Sequence, residues 1–197
     1  MTSYALLGLL TFGDEPTGYE LKQRADNTLR FYWVSPAMSQ VYTELARLTG
    51  AKLVRRRGAG RGTTYSLTAK GRRTLERWMR ETPAGFTVFK HPVALRLMMG
   101  HLSDSATIRA MLEEYVAEVV AARRDLAAVR TSLERADAPG EPFHHQSMVA
   151  EWGLAHFDSE IAITERLLAR LAAEEAQLRS GSESSLPSPQ DPKPIRP

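Results

Sequence analysis

The chain has 197 residues, 43% of them hydrophobic, enough for one ordinary domain or for a small one of about 80 residues with a helical appendage. It contains no cysteine, which excludes disulfides, cysteine-ligated zinc, iron-sulfur clusters and thiol nucleophiles. The formal charge of +3 hides an asymmetry: residues 1–80 hold 14 Lys and Arg against 6 Asp and Glu, net +8, and residues 81–197 hold 12 against 17, net −5. A basic part beside an acidic one points to a polyanion partner for the former. No apolar run reaches the length of a membrane span, and the first residues lack the pattern of a secretory signal, so a cytoplasmic protein with no membrane contact is expected.

Residues 3–12, SYALLGLLTF, are apolar nearly all round and predict a short buried helix, followed by a turn at residues 13–16. Thr17 and Glu20 have the spacing of a capping box and open a second helix that runs through about Asn27. The aromatic run Phe31, Tyr32, Trp33 leads to Ser35 and Pro36, which predict the N-cap and first residue of a third helix. There Met38, Val41, Leu45 and Leu48 form a buried stripe, opposite Ser39, Gln40, Tyr42 and Thr43. The runs LVRRR and TTYSL around GAGRG predict a β-hairpin. Thr68 caps a fourth helix with Leu75, Trp78 and Met79 as apolar contacts. Three helices, a hairpin and a helix are the order of a winged helix-turn-helix.

Beyond residue 106 the pattern changes. Ile108, Leu112, Tyr115, Val119, Ala122, Leu126, Val129 and Leu133 alternate spacings of four and three, a coiled-coil seam that needs a partner helix. After a turn at residues 138–142, a second long helix is predicted over about 145–178, with Trp152, Ile163, Leu167 and Leu171 on its apolar side. One helical hairpin would not hide all this surface, so a homodimer is expected, with Ile108, Leu112, Tyr115, Val119, Leu126, Val129, Leu133, Ile163 and Leu167 as its contacts. The Ser- and Pro-rich tail is expected to be disordered. The predicted fold is thus mainly α with a small β-hairpin: a winged helix-turn-helix over 1–82, a connection over 83–103, an antiparallel helical dimerisation domain over 104–179, and a tail over 180–197.

Five motifs together resemble the PadR family of regulators, in its larger subtype with long C-terminal helices. They are ALLGLL near the start; Gly18-Tyr19-Glu20-Leu21; the aromatic run, Ser35 and Ser39-Gln40-Val41-Tyr42 followed by Leu45 and Leu48; Leu67-Thr68-Ala69-Lys70-Gly71; and KHPVALRLMMGHL near residue 90. The resemblance implies a transcription regulator that binds double-stranded DNA at a palindromic operator, and a small, often aromatic, effector that releases it. Trp78, Phe86, Phe89, Trp152, His156 and Phe157 are the side chains suited to line an effector pocket by stacking; ordinary core contacts are the alternative for each. One position departs from the family: the glycine that usually precedes the first wing strand is Lys52 here, and Gly50 stands two residues earlier, which leaves the geometry of residues 49–53 open.

A recognition helix reads bases from residues near its N-terminus, which selects Ala37, Ser39, Gln40 and Thr43, with Gln40 suited to adenine. Ser35, Tyr42, Tyr19 and Lys22 are expected at phosphates, Arg55, Arg56 and Arg57 along the DNA backbone, and Arg61 at the minor groove. Tyr19 has a half-buried, structural role as its alternative, and one of the three arginines has pairing with Glu76 or another carboxylate as its own. The five histidines lack helical metal spacing and no phosphate loop follows a strand, so neither an enzyme nor a metal or other cofactor is expected. A coiled-coil adaptor that holds another protein with its winged helix is the alternative function.

Overall fold

The computed structural model describes residues 2–32, 35–85, 90–133, 138–141 and 143–183. The chain divides into two compact units, Met1–Val88 with Leu133–Ser147, and Phe89–Ser132 with Met148–Pro197.

In the first unit α1, Thr2–Leu9, buries Leu6, Leu7 and Leu9, as its apolar sequence requires. It stops short of the expected Phe12 because Leu10 and Thr11 close turns on the Leu7 and Gly8 carbonyls and Gly13 reverses the chain at φ 87°. α2, Gly18–Thr28, opens on the expected capping box: the Thr17 N–H donates to Glu20 Oε2 at 2.7 Å and the Glu20 N–H to Thr17 Oγ1 at 3.2 Å.

α3, Met38–Gly50, begins later than the sequence predicts, with Ala37 rather than Ser35 as N-cap and Pro36 buried ahead of the helix. The reason is competition for the hydroxyl. Ser35 Oγ donates to Asp26 Oδ1 at 2.6 Å, and the Ala37 N–H is satisfied instead by Gln40 Oε1 at 2.9 Å. Val41, Leu45 and Leu48 are fully buried in a core with Leu6, Leu7, Leu10, Leu21 and Ala25. At the far end the Leu53 N–H reaches the Leu48 carbonyl at 3.0 Å and the Lys52 N–H that of Thr49 at 2.9 Å, a Schellman ending with Lys52 at φ 59°. The backbone of residues 49–53 therefore takes the shape a glycine would allow, and a lysine carries it.

The hairpin pairs β1, Val54–Arg57, with β2, Thr64–Leu67, antiparallel, from Val54 opposite Leu67 to Arg57 opposite Thr64. It is fastened to the chain just ahead of α2: the Tyr65 N–H donates to the Pro16 carbonyl at 2.9 Å, and Thr17 bridges Thr64. α4, Ala69–Glu81, is capped by Thr68 Oγ1, which accepts the Gly71 N–H at 3.0 Å. A Cβ at Gly71 would overlap the Leu53 carbonyl oxygen, so only glycine lets α4 sit this close to the wing.

The second unit holds α5, Pro92–Met98, and most of α6, Ser105–Leu133, and α7, His144–Glu183. His91 caps α5, its Nδ1 accepting the Ala94 N–H at 3.3 Å. α6 and α7 run antiparallel, tied in order by Arg130 to Glu151 at 2.9 Å, Arg123 to Asp158, the Tyr115 hydroxyl to Glu160 at 3.0 Å, and Arg109 to Glu175 at 2.6 Å. Leu112, Val119 and Leu126, seven residues apart, are buried within the chain itself. α7 runs past the expected end at Leu178, and the tail expected to be disordered lies, from residue 184, outside the described residues.

Two outcomes are expected. A non-glycine residue in the left-handed region is strained, so Lys52→Gly should raise the unfolding free energy by about 1 kcal/mol in denaturant titrations. The Ser105 hydroxyl, and after it Arg109, hold the Glu175 carboxyl below the usual glutamate range. A group that binds its proton more weakly when folded stabilises the fold above that range and loses the contribution as pH falls through it. Urea titrations of Glu175→Gln and the wild type should therefore differ at neutral pH and converge in acid.

Candidate nucleic-acid interface

The outer face of α3 carries Ala37, Ser39, Gln40, Tyr42 and Thr43, all exposed. Gln40 is partly committed: its Oε1 caps Ala37, so a two-bond contact to adenine requires that cap to open.

Pairing decides which cations are available to a partner. Lys22 bonds Asp26, which also takes the Ser35 hydroxyl, so two expected phosphate ligands share one carboxylate; Lys22, and after it Ser35, hold that carboxyl below its usual range. Arg57 pairs at 3.3 Å with Glu15, whereas the sequence had offered Glu76 as one candidate carboxylate. Arg24 and Arg47 pair with Asp14 and Glu44. Arg55 and Arg56 have no carboxylate partner among the described residues. Strand alternation also divides the three wing arginines: Arg56, opposite Tyr65, lies on the α3 side, while Arg55 and Arg57, opposite Ser66 and Thr64, lie on the other. The expected row along the backbone is thus two faces. Arg61 lies in the turn Gly60–Gly62 at the wing tip, its side chain outside the description. Tyr19 is 58% exposed, and its hydroxyl accepts from Gln23 at 3.2 Å, so it is not a half-buried structural residue.

Between α3 and the wing is a cleft of about 400 Å³ whose lining includes Tyr42, Ala46, Thr49, Arg56, Thr63 and Tyr65. The Thr49 and Thr63 hydroxyls already donate to the Leu45 and Gly60 carbonyls. The Tyr42 and Tyr65 hydroxyls and the Arg56 guanidinium remain, two hydrogen-bond donors and one cation, which suits an anionic oxygen.

The remaining candidates belong to different units. Trp78 stacks on Tyr4 in the first unit, ring centroids 4.6 Å apart. Trp152, His156 and Phe157 form an aromatic run on α7 in the second, with Trp152 stacked 6.5 Å from His156. Phe86 and Phe89 lie outside the described residues. Of the dimer candidates, Leu112, Val119 and Leu126 are already buried, Ile108, Tyr115, Val129, Leu133 and Leu167 are half-buried, and Ile163 is exposed. A half-buried polar cluster had no sequence signal: His91 Nε2 lies 2.8 Å from the Tyr115 hydroxyl and 3.2 Å from Glu160. Since Nδ1 accepts the Ala94 N–H, Nε2 carries the proton; burial, and then Glu160, push the Tyr115 hydroxyl well above its usual range.

No family model and no curated protein matches the chain. Solved structures do. The PadR-like transcriptional regulator BC1756 from Bacillus cereus superposes with a TM-score of 0.75 at 20% identity, over 88% of this chain and 99% of that one. Bacillus subtilis PadR in complex with operator DNA gives 0.73 at 23% identity, over 86% and 98%, and the same protein in complex with p-coumaric acid gives 0.72 over the same shares. The fold is that of PadR-like transcriptional regulators.

Within this PadR-like fold, the sequence reading missed the outer face of α4. Arg72, Arg73, Arg77 and Arg80 are exposed without a carboxylate partner among the described residues. The spacing of Arg73, Arg77 and Arg80 by four and three was a legible signal of one stripe. No helix among the described residues is long and apolar enough to cross a membrane, and no cluster of His, Asp and Glu among them could hold a metal.

The availability of the wing cations can be measured by fluorescence anisotropy on duplex DNA over a salt series. Arg56→Ala should reduce the slope of log affinity against log salt by about one, and Arg57→Ala, whose charge is already paired, by clearly less.

Proposed function

We propose that the chain is a DNA-binding transcription regulator, a repressor that acts as a homodimer on a palindromic operator in the cytoplasm and is released by a small aromatic effector. The observation that carries the reading is the polar outer face of α3 beside a cleft whose uncommitted groups include Tyr42 and Arg56. Bacillus subtilis PadR, which shares the fold, was solved with operator DNA, and that supports duplex DNA as the ligand of this face. Met98, Leu102 and Trp152 in the second unit are 79%, 78% and 67% exposed, and such apolar surface supports a second copy as partner. The Bacillus subtilis protein was also solved with p-coumaric acid, and the run Trp152, His156, Phe157 supports a planar ligand here. An effector would act by favouring a separation of the two α3 helices other than one helical turn of DNA, about 34 Å.

Selection of bound fragments from the organism's own DNA tests the reading. A preferred palindrome is expected, with affinity falling steeply as salt rises, by about 10³-fold or more between dilute and physiological buffer if six phosphates are contacted. Sedimentation should show a dimer, and a phenolic library should contain a compound that weakens operator binding. Absence of duplex binding even in dilute buffer would leave a protein-binding adaptor as the reading.

A further inference from the structure

Gly18, the first residue of α2, lies directly beneath the ring of Tyr42 on α3. A Cβ built on Gly18 would stand 2.5 Å from Tyr42 Cε1, 2.9 Å from Cζ and 3.2 Å from Cδ1, and these are its three nearest atoms. Carbon atoms in contact sit roughly 3.5–4.0 Å apart, so a methyl group and the ring cannot share this space. The backbone does not require glycine, because Gly18 has no left-handed φ. What requires it is the tyrosine. Tyr42 is 47% exposed, its hydroxyl has no partner among the described residues, and its ring is one wall of the cleft that Arg56 and Tyr65 close from the wing. The same few residues ahead of α2 hold the wing, through Pro16 to Tyr65 and Thr17 to Thr64.

We propose that Gly18 is a positioning residue for DNA binding: its missing side chain is the seat that lays the Tyr42 ring back on α2, keeps the cleft between α3 and the wing open, and aims the Tyr42 hydroxyl at the backbone of one DNA strand. The inference rests on the DNA-binding reading for its purpose, but the seat itself is a property of the free protein. Any side chain at position 18 would drive the ring toward the wing. The ring is a movable, half-exposed group, so the fold absorbs the change while the interface does not.

The test uses the full chain with ¹³C-labelled tyrosine rings, the Tyr42 resonance being assigned by its loss in Tyr42→Phe. In Gly18→Ala the Tyr42 ring resonance should shift while the melting temperature holds or rises, since alanine is the better helix former. Operator affinity should fall about tenfold, the size of one lost charge-assisted hydrogen bond. In a Tyr42→Ala background the same Gly18→Ala change should cost less than about twofold, because the two substitutions remove one thing. An unmoved Tyr42 resonance, or additive losses of affinity, overturns the proposal. If the wild type binds no duplex DNA, the functional reading falls and takes the proposed purpose of the seat with it, whereas the resonance shift still decides whether the seat exists.

Discussion

The burial of Val41, Leu45 and Leu48 is the constraint on which the polar outer face of α3 depends. Each is removed completely from water, which favours the folded arrangement by about 2 kcal/mol per side chain before the entropy of ordering is counted. A helix held by one stripe cannot rotate without exposing it. Ser39, Gln40, Tyr42 and Thr43 face outward because those three face inward.

Around that helix, α1 and α2 are held by the shared apolar core, and hydrogen bonds add to the two core residues of the wing, Val54 and Tyr65. The residues ahead of α2 hold the wing through Pro16 and Thr17, and Thr68 ties the wing's end to the carbonyls at Lys52 and Leu53. The hairpin buries little of its own, with Val54, Thr63 and Tyr65 as its buried residues, so these bonds set its angle to α3 and with it the width of the cleft. Carboxylates then sort the positive charge. Asp14, Glu15, Asp26 and Glu44 each engage a nearby cation, whereas Arg55, Arg56 and the α4 arginines have no carboxylate partner among the described residues. A net charge of +8 over the first 80 residues is therefore less informative than the subset left unpaired.

The second unit uses the opposite economy of charge. Its arginines at 109, 123 and 130 face carboxylates across the α6–α7 hairpin, and each bridge specifies the register between two helices whose buried stripe, of leucine and valine repeated every seven residues, would tolerate a slip of one heptad. Exposed pairs of this kind add little stability individually, and their value here is in choosing the alignment.

Local signals in the sequence were enough for the capping box at Thr17, the Thr68 cap, the stripe Val41, Leu45 and Leu48, the hairpin and the two long helices, because such signals act within a few residues; Met79 and Trp152, expected on apolar faces, are exposed. The motifs at residues 18–21 and 67–71 were legible through a family resemblance, although the reason for their glycines was not: Gly18 answers to Tyr42 and Gly71 to the Leu53 carbonyl, each far along the chain. The tertiary structure alone decided the start of α3, since Ser35 met Asp26 before it could cap. It also decided which wing arginine faces α3, and that Leu112, Val119 and Leu126 are covered within one chain. Pairing partners and close approaches are set by distance in space, and distance in space is not written in spacing along the chain.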